Sequence, residues 1–173
     1  MTPAPSKPAT RPLLEVNDLK KHFPIRSGFL SGISGYVYAV DGVSFAIDRG
    51  ETLSLVGESG CGKSTVGRTV LRLIEPTAGQ VLLDGERIDD IPLGRLRPLR
   101  RRMQVVFQDP FSSLNPRLKV REILAEPITN FGLAASRSEL DDRLADLMDK
   151  VRLPRDAMNR FPHEFSGGQR QRI

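Results

Sequence analysis

Short apolar runs separated by glycine, proline and Asp-Gly turns fill the first 110 residues, a pattern typical of β-strands. These runs predict strands over residues 13–16, 36–47, 53–56 and 103–107. Residues 20–35 contain Pro24 and three glycines, so we expect a long loop there. Around Asp84-Gly85 the apolar residues predict a hairpin over 81–88, because Asp-Gly favours a two-residue turn.

Beyond residue 110 the apolar residues recur at helical spacing. This spacing predicts a short helix over 120–126 that ends before Pro127. It also predicts a longer helix over 138–153, with Ser138 as its N-cap and Asp141 three residues later. The buried face of the longer helix is expected to consist of Leu140, Leu144, Leu147 and Val151. A strand-rich part is therefore followed by a helical part.

Composition places the chain among globular proteins that bind anions. Its 173 residues are 39% hydrophobic, enough for a core, and its net charge of +5 favours anionic partners. The single cysteine, Cys61, excludes an intrachain disulfide within this sequence and favours a reducing compartment. No apolar run approaches the about 18 residues of a membrane span. Residues 1–12 are expected to form a disordered tail and do not resemble a signal peptide.

Residues 57–65 carry the strongest chemical signal. They read Gly57-Glu58-Ser59-Gly60-Cys61-Gly62-Lys63-Ser64-Thr65 and fit the phosphate-loop pattern G-x-x-x-x-G-K-[ST]. The predicted strand over 53–56 precedes them. A predicted helix follows, with an apolar face of Val66, Val70, Leu71 and Ile74 and an end marked by Pro76 and Gly79.

Each part of this loop answers a requirement of phosphate binding. Glycines let backbone N–H groups converge on phosphate oxygens without side-chain clashes. Lys63 supplies a cation for the outer phosphates, and the Ser64 hydroxyl can bind Mg²⁺. The N-terminus of the following helix presents its positive dipole end to the anion.

A second motif, Ser166-Gly167-Gly168-Gln169, lies near the end of the sequence. By itself it is an ordinary helix start, with Ser166 as the cap. Its position after a phosphate loop, a lone Gln108 at a predicted strand end and a helical segment gives it more meaning. In that order, these features resemble the nucleotide-binding subunits of ABC transporters.

Four stretches resemble the oligopeptide and dipeptide importers of that family in particular. They are residues 39–45 (AVDGVSF), 106–110 (VFQDP), 113–117 (SLNPR) and 161–169 (FPHEFSGGQ). Glutathione and nickel importers are similar here. The resemblance extends from residue 13 to residue 173, and it implies an α/β phosphate-loop ATPase core with an antiparallel β part and a helical subdomain.

The resemblance assigns a role to each motif. Residues 57–65 would hold the phosphates of ATP, and Gln108 would contact Mg²⁺ and the attacking water. Ser166, Gly167 and Gly168, with Gln169, would contact ATP held by the opposite subunit of a head-to-tail dimer. Phe23 would stack on adenine, with Tyr36 and Tyr38 as alternatives.

The resemblance also implies an organisation and a setting. Residues 13–110 would form the nucleotide-binding core and residues 111–173 the helical subdomain, cut within the signature helix. The acidic strand, D-loop and switch histidine of the family do not match any segment, so the core would lack its C-terminal half. The full-length protein would be an ATPase at the cytoplasmic face of the inner membrane, bound to permease subunits and served by a solute-binding protein.

Alternatives remain at this stage. A non-transport ABC ATPase acting on nucleic acid, or a glutathione or nickel importer ATPase, would carry the same motifs. A phosphate-loop kinase would not need Ser166-Gly167-Gly168-Gln169, and a bare nucleotide-binding module would have no turnover. The arginines of residues 95–102 are interpreted as a solvated basic face, because no aromatic residues interleave them.

Overall fold

The computed structural model describes residues 11–27, 32–107, 109 and 113–173. They fall into two compact units that divide between Arg97 and Pro98. The first unit carries an antiparallel sheet and the phosphate loop, and the second is helical. None of the helices in these ranges is long and apolar enough to cross a membrane.

The sheet of the first unit has four antiparallel strands in the order β2-β1-β3-β4. Its strands are β1 (Leu14–Ser27), β2 (Gly32–Ile47), β3 (Ala78–Leu83) and β4 (Glu86–Arg87). β1 and β2 pair from Leu14 opposite Ile47 to Ser27 opposite Gly32. β3 pairs with β1 as far as Lys20, so the far half of β1 borders β2 alone among the described residues.

The prediction of a long loop over residues 20–35 is therefore wrong, because the described residues of that range lie in β1 and β2. Pro24 is accommodated opposite Tyr36. A strand bordered on one side tolerates proline, since the missing N–H can face the open edge. Register shifts between Lys21 and His22 and between Ile25 and Arg26 show that bulges accommodate the irregular sequence.

The predicted hairpin over 81–88 is confirmed. β3 and β4 pair through Leu83 opposite Glu86, and Asp84 and Gly85 make the turn with φ of +54° and +76°. Two consecutive positive φ values are the geometry that Asp-Gly favours in a tight hairpin.

Buried Asp89 secures this hairpin after β4. Its Oδ1 accepts a hydrogen bond from the backbone N–H of Val81 at 2.9 Å, and its two carboxylate oxygens accept from the Arg87 guanidinium. Burial alone would raise the pKa of Asp89, but Arg87 and the Val81 N–H lower it overall. The charged carboxylate therefore stabilises the paired sheet.

Two predicted strands do not form. Residues 53–56 and 103–107 are outside the sheet, and no described residue pairs with them as a strand. Val56 is 93% exposed and Val106 is 94% exposed. An apolar run becomes a strand only where neighbouring strands take up its backbone N–H and C=O groups.

The helix after the phosphate loop, α1 (Lys63–Val70), packs against β1 and β2. It ends earlier than predicted: Leu71 is its C-cap, and Ile74 lies beyond it. Hydrogen bonds from Arg72 N–H to Thr69 O and from Leu73 N–H to Arg68 O close the last turn. Arg72 takes the left-handed position with φ of +52°, so the chain leaves the helix there.

The other helices are α2 (Leu93–Leu99), which crosses the boundary between the units, and α3 (Val120–Asn130), α4 (Arg137–Lys150) and α5 (Gly167–Arg172) in the second unit. Short 3-10 helices cover Arg100–Arg102, Arg155–Asn159 and Pro162–Glu164. A buried apolar cluster joins the elements of the second unit through Val120, Met148, Leu153, Ala157 and Phe165.

Both helix predictions in this unit need correction at their ends. α3 continues through Pro127 to Asn130, because the Pro127 carbonyl still accepts from Phe131 N–H at 3.1 Å. α4 begins at Arg137, one residue before the predicted N-cap, Ser138. Ser136 caps it instead by accepting from Glu139 N–H at 3.1 Å.

The predicted buried face of α4 is partly wrong. Leu144 is fully buried as expected, but Leu147 is 37% exposed and Met148 occupies the core beside it. Leu140 and Val151 are half-buried. The earlier start of the helix does not change which residues share a face of α4. The core lies against the face that carries Leu144 and Met148.

Candidate nucleotide-binding site

The phosphate-loop residues form an exposed turn that leads directly into α1. Gly60 and Gly62 both adopt left-handed φ values, +83° and +96°. The N–H of Val66 donates to Gly62 O at 2.9 Å and starts the helix. Ser64 is exposed and Thr65 half-buried in the first turn. The loop thus has the open backbone that anion binding requires.

Contact with β2 holds this loop in place. A Cβ atom on Gly62 would lie 2.2 Å from the backbone oxygen of Ala39. Only glycine permits this approach, and only glycine takes its φ without strain. The register of the loop is therefore fixed by the backbone of a paired strand, a contact that no residue pattern in the sequence indicated.

The Lys63 ammonium lies inside the loop. Its Nζ donates to Gly57 O at 2.7 Å and to Glu58 O at 2.5 Å, and it is 3.5 Å from the Cys61 Sγ. The side chain therefore folds back over the turn and places a positive charge within the glycine loop. This arrangement fits a polyphosphate, whose oxygens would accept from the ammonium and from the backbone N–H groups of such a loop.

The candidate base-stacking residues lie on opposite faces of one strand pair. Phe23 is opposite Val37, with the Lys21 ammonium 4.9 Å from its ring centre. Tyr36 and Tyr38 are opposite the two residues adjacent to Phe23, so they point to the other face. A nucleobase bound at one face can therefore use Phe23 or the tyrosines, but not both.

Ser166 caps α5 in this structure. Its Oγ accepts from Gln169 N–H at 3.3 Å, and the Gln169 side-chain oxygen accepts from Ser166 N–H at 3.0 Å. Gly167 and Gly168 form the first turn, and a Cβ on Gly168 would meet no atom within 4 Å. The capping interpretation is confirmed, and the space beside Gly168 is open to an approaching group.

Gln108, predicted to contact Mg²⁺, lies outside the described residues. The segment just before it lines an open cavity of about 700 Å³ in the second unit. Its walls are residues 105–107, 113–114 and 170–173. This cavity adjoins the segment whose predicted strand does not form.

Sequence reasoning also missed two arginines that hold the second motif. Arg170 donates to the carbonyls of Phe165 and His163, and Arg172 donates to those of Val151 and Arg152. Side-chain bonds to distant backbone carbonyls leave no pattern in a single sequence, so no signal could have found them.

Comparison with protein families gives a match over residues 40–173 to the family described as "ABC transporter". Among curated proteins, the oligopeptide transport ATP-binding protein AppF of Bacillus subtilis is 51% identical over 93% of this chain. The glutathione import ATP-binding protein GsiA of Pectobacterium atrosepticum is 49% identical over 94% of it. The chain spans 49% of the length of AppF and 26% of that of GsiA.

Solved structures agree with these relatives. The dimeric ATP-binding cassette MJ0796, in a post-hydrolysis state with ADP and phosphate, superposes with a TM-score of 0.75 at 30% identity. That match covers 92% of this chain and 66% of MJ0796. CbiO1 of Clostridium perfringens, part of the transporter complex cbiONQ, gives a TM-score of 0.66 at 25% identity and covers 93% and 58%.

Proposed function

This chain belongs to the ABC transporter family, and we propose that it is part of the ATP-binding subunit of an importer for di- or oligopeptides. The observation that carries this proposal is the Lys63 ammonium within the glycine loop. The 51% identity to AppF supports the peptide-import assignment, since AppF is an oligopeptide transport ATP-binding protein.

In this proposal the chain's own groups bind and orient ATP. The backbone N–H groups of residues 57–65 and the Lys63 ammonium hold the phosphates, so negative charge developing on them is offset by fixed donors. Mg²⁺ would be held by the Ser64 hydroxyl together with Gln108, and it would supply charge neutralisation at the outer phosphates. Phe23 stacks on the adenine, with Tyr36 and Tyr38 as the alternative on the other face.

We assign Ser166, Gly167, Gly168 and Gln169 to the ATP held by a second subunit. The dimeric MJ0796 structures support this assignment, because the matched chains pair as two cassettes. Residues 13–110 would serve as the nucleotide-binding core and residues 111–173 as the helical part. The partners would be permease subunits, with the ATPase peripheral at the cytoplasmic face of the membrane.

Lys63→Ala in the full-length protein tests the ATPase assignment. Loss of the cation should lower ATP hydrolysis by at least about 100-fold and abolish peptide uptake, because Lys63 supplies the ammonium that lies against the Gly57 and Glu58 carbonyls of the loop. Lys150→Ala is the control, since Lys150 is exposed at the end of α4. Hydrolysis unchanged in Lys63→Ala would contradict the assignment.

Cross-linking tests the partner. Cysteines placed at Leu114 or Leu118, in the segment that follows Gln108, should capture a permease subunit in membranes. Capture at other surfaces but never across this segment would contradict the proposed coupling surface.

Glutathione import is the second candidate, and the similarity to GsiA favours it. The solute that stimulates ATP hydrolysis in the assembled transporter distinguishes peptide import from glutathione import. Peptides of two to five residues should stimulate hydrolysis when the solute-binding protein is present, whereas stimulation by glutathione alone would favour the second candidate.

A further inference from the structure

Contacts outside the helix itself anchor both ends of α5. Phe165, just before its N-cap, is 5% exposed and belongs to the buried cluster of the second unit. Ile173, just after its last residue, packs against the same cluster. The direction of α5 in the second unit is therefore set by packing against this cluster as well as by its own hydrogen bonds.

Arg172 adds a polar anchor between α5 and α4. Its Nη1 donates to Val151 O and to Arg152 O, both at 3.1 Å. These carbonyls follow the last turn of α4, where the helix dipole leaves partial negative charge. The guanidinium therefore joins a cation on α5 to the negative end of α4.

The α4 end offers these carbonyls because of how the helix closes. Leu153 N–H donates to Met148 O at 2.9 Å and Arg152 N–H to Asp149 O at 3.0 Å. Arg152 takes φ of +54°. These two hydrogen bonds occupy the carbonyls of Met148 and Asp149. The carbonyls of Val151 and Arg152 accept from Arg172 instead.

We propose that Arg172 is a positioning residue for the second motif: by tying α5 to the C-terminal end of α4, it sets the direction in which Ser166, Gly167 and Gly168 face the nucleotide of the second subunit. This proposal rests on the proposed function. The guanidinium fork offers Nη1 to both carbonyls of the α4 end and Nε to Gly168 O at 3.4 Å, whereas a lysine ammonium has one nitrogen, so lysine should replace arginine only in part.

The expected consequence is selective. ATP binding by one subunit uses the phosphate loop and should not depend on Arg172. ATP-dependent pairing of two subunits uses Ser166 and the glycines, and a small displacement of such groups lowers their contribution strongly.

Three variants of the full-length protein test this. Arg172→Gln removes the charge and the fork, and Arg172→Lys keeps the charge alone. Arg155→Gln is the matched control, because Arg155 also binds the end of α4, through the Asp149 carboxylate at 2.5 Å, but makes an exposed surface pair. The measurements are ATP affinity of the single subunit, dimerisation with a non-hydrolysable ATP analogue, and thermal unfolding.

We expect unchanged ATP affinity in all three variants. Dimerisation should weaken by about 10-fold in Arg172→Gln and by about 3-fold in Arg172→Lys, and it should be unchanged in Arg155→Gln. Should Arg172→Gln unfold too readily to be measured, Arg172→Lys decides by the same criterion.

Dimerisation equal to the wild type in a folded Arg172 variant would overturn the positioning role. So would a loss of ATP affinity that parallels the loss of dimerisation, because that pattern indicates general destabilisation. A wild-type protein that binds ATP without dimerising would instead overturn the proposed function of the second motif, and the positioning role with it.

Discussion

Two apolar segments of the first unit show contrasting structures. Residues 14–20 of β1 lie between β2 and β3, and Val16 and Leu19 are almost completely buried. Residues 53–56 (LSLV) carry a higher share of apolar residues than residues 14–20 (LEVNDLK), yet no described strand lies beside them and Val56 is 93% exposed. Apolar residues are thus necessary for a buried strand but not sufficient, because backbone partners on its sides decide whether it forms.

The phosphate loop has an unpaired segment on one side and a packed helix on the other. It follows the unpaired segment directly, yet it keeps a defined turn because α1 packs on the sheet and Gly62 lies against Ala39 of β2. The candidate site is therefore held from the paired side alone. Changes that affect the paired side and the unpaired side separately therefore test how much each contributes to the structure of the loop.

The largest effect concerns the unpaired segments. We expect the 1–173 chain to show no ATP turnover above background, poor solubility and no sharp thermal transition, because Val56 and Val106 present apolar surface and unpaired backbone to water. Phosphate release with Mg²⁺, sedimentation and thermal melting measure this. A soluble 1–173 chain with a sharp melt and Mg²⁺-dependent phosphate release would contradict the account.

The next effect concerns the paired side of the loop. In the full-length protein, Gly62→Ala should weaken ATP binding by at least about 100-fold, because its Cβ would meet Ala39 O at 2.2 Å in a left-handed conformation. Gly60→Ala meets no atom within 4 Å and should cost only the conformational strain, about 1–2 kcal/mol. Equal losses by calorimetric titration would show that the contact with β2 does not position the loop.

A smaller effect concerns the sheet itself. Asp89→Asn removes the charge that pairs with Arg87, and it should lower the free energy of unfolding by about 1–3 kcal/mol in urea at pH 7. Because the folded-state pKa of Asp89 is lowered from 3.8, the stabilisation is present above that value and is lost as pH falls through the folded-state pKa.

A pH series of wild type and Asp89→Asn checks this sign. The difference in stability should be constant from pH 7 to pH 5 and should shrink in more acidic solution. A difference that grows as pH falls would mean that the carboxylate is not stabilised by its partners.

The smallest effect concerns the end of α4 in the helical unit. Arg152→Gly should raise the free energy of unfolding by about 0.5–1 kcal/mol, since glycine adopts the left-handed position without strain. Arg143→Gly, the same change within α4, should lower it by about 1 kcal/mol. Changes of the same sign in both variants would contradict the assigned ending of α4.

Local chemistry was predictable from sequence where neighbouring residues determine it. The Asp84-Gly85 turn needs only local φ values, and the phosphate loop and its helix follow from residues 57–65. The N-cap of α4 was not predictable, because Ser136 and Ser138 each precede an acidic residue by three positions. The residues around them do not distinguish the two, and only the structure shows that the Ser136 hydroxyl accepts from Glu139 N–H.

Strand pairing could not be predicted from the sequence, because it depends on residues that are distant along the chain. β1 and β2 continue through residues predicted as a loop, because each strand supplies the hydrogen-bond partners of the other. Residues 53–56 lie outside the sheet, because no strand among the described residues pairs with them. The contact between Gly62 and Ala39 depends on that pairing, so it also lies beyond a single-sequence pattern.

Hydrogen exchange tests the central contrast most directly. In the 1–173 chain, amides of residues 14–20 and of β3 should be protected, while those of residues 53–56 and 103–107 should exchange at nearly the rate of an unfolded peptide. In the full-length protein, both sets should be protected. Protection of residues 53–56 in the 1–173 chain equal to that of β1 would contradict the account.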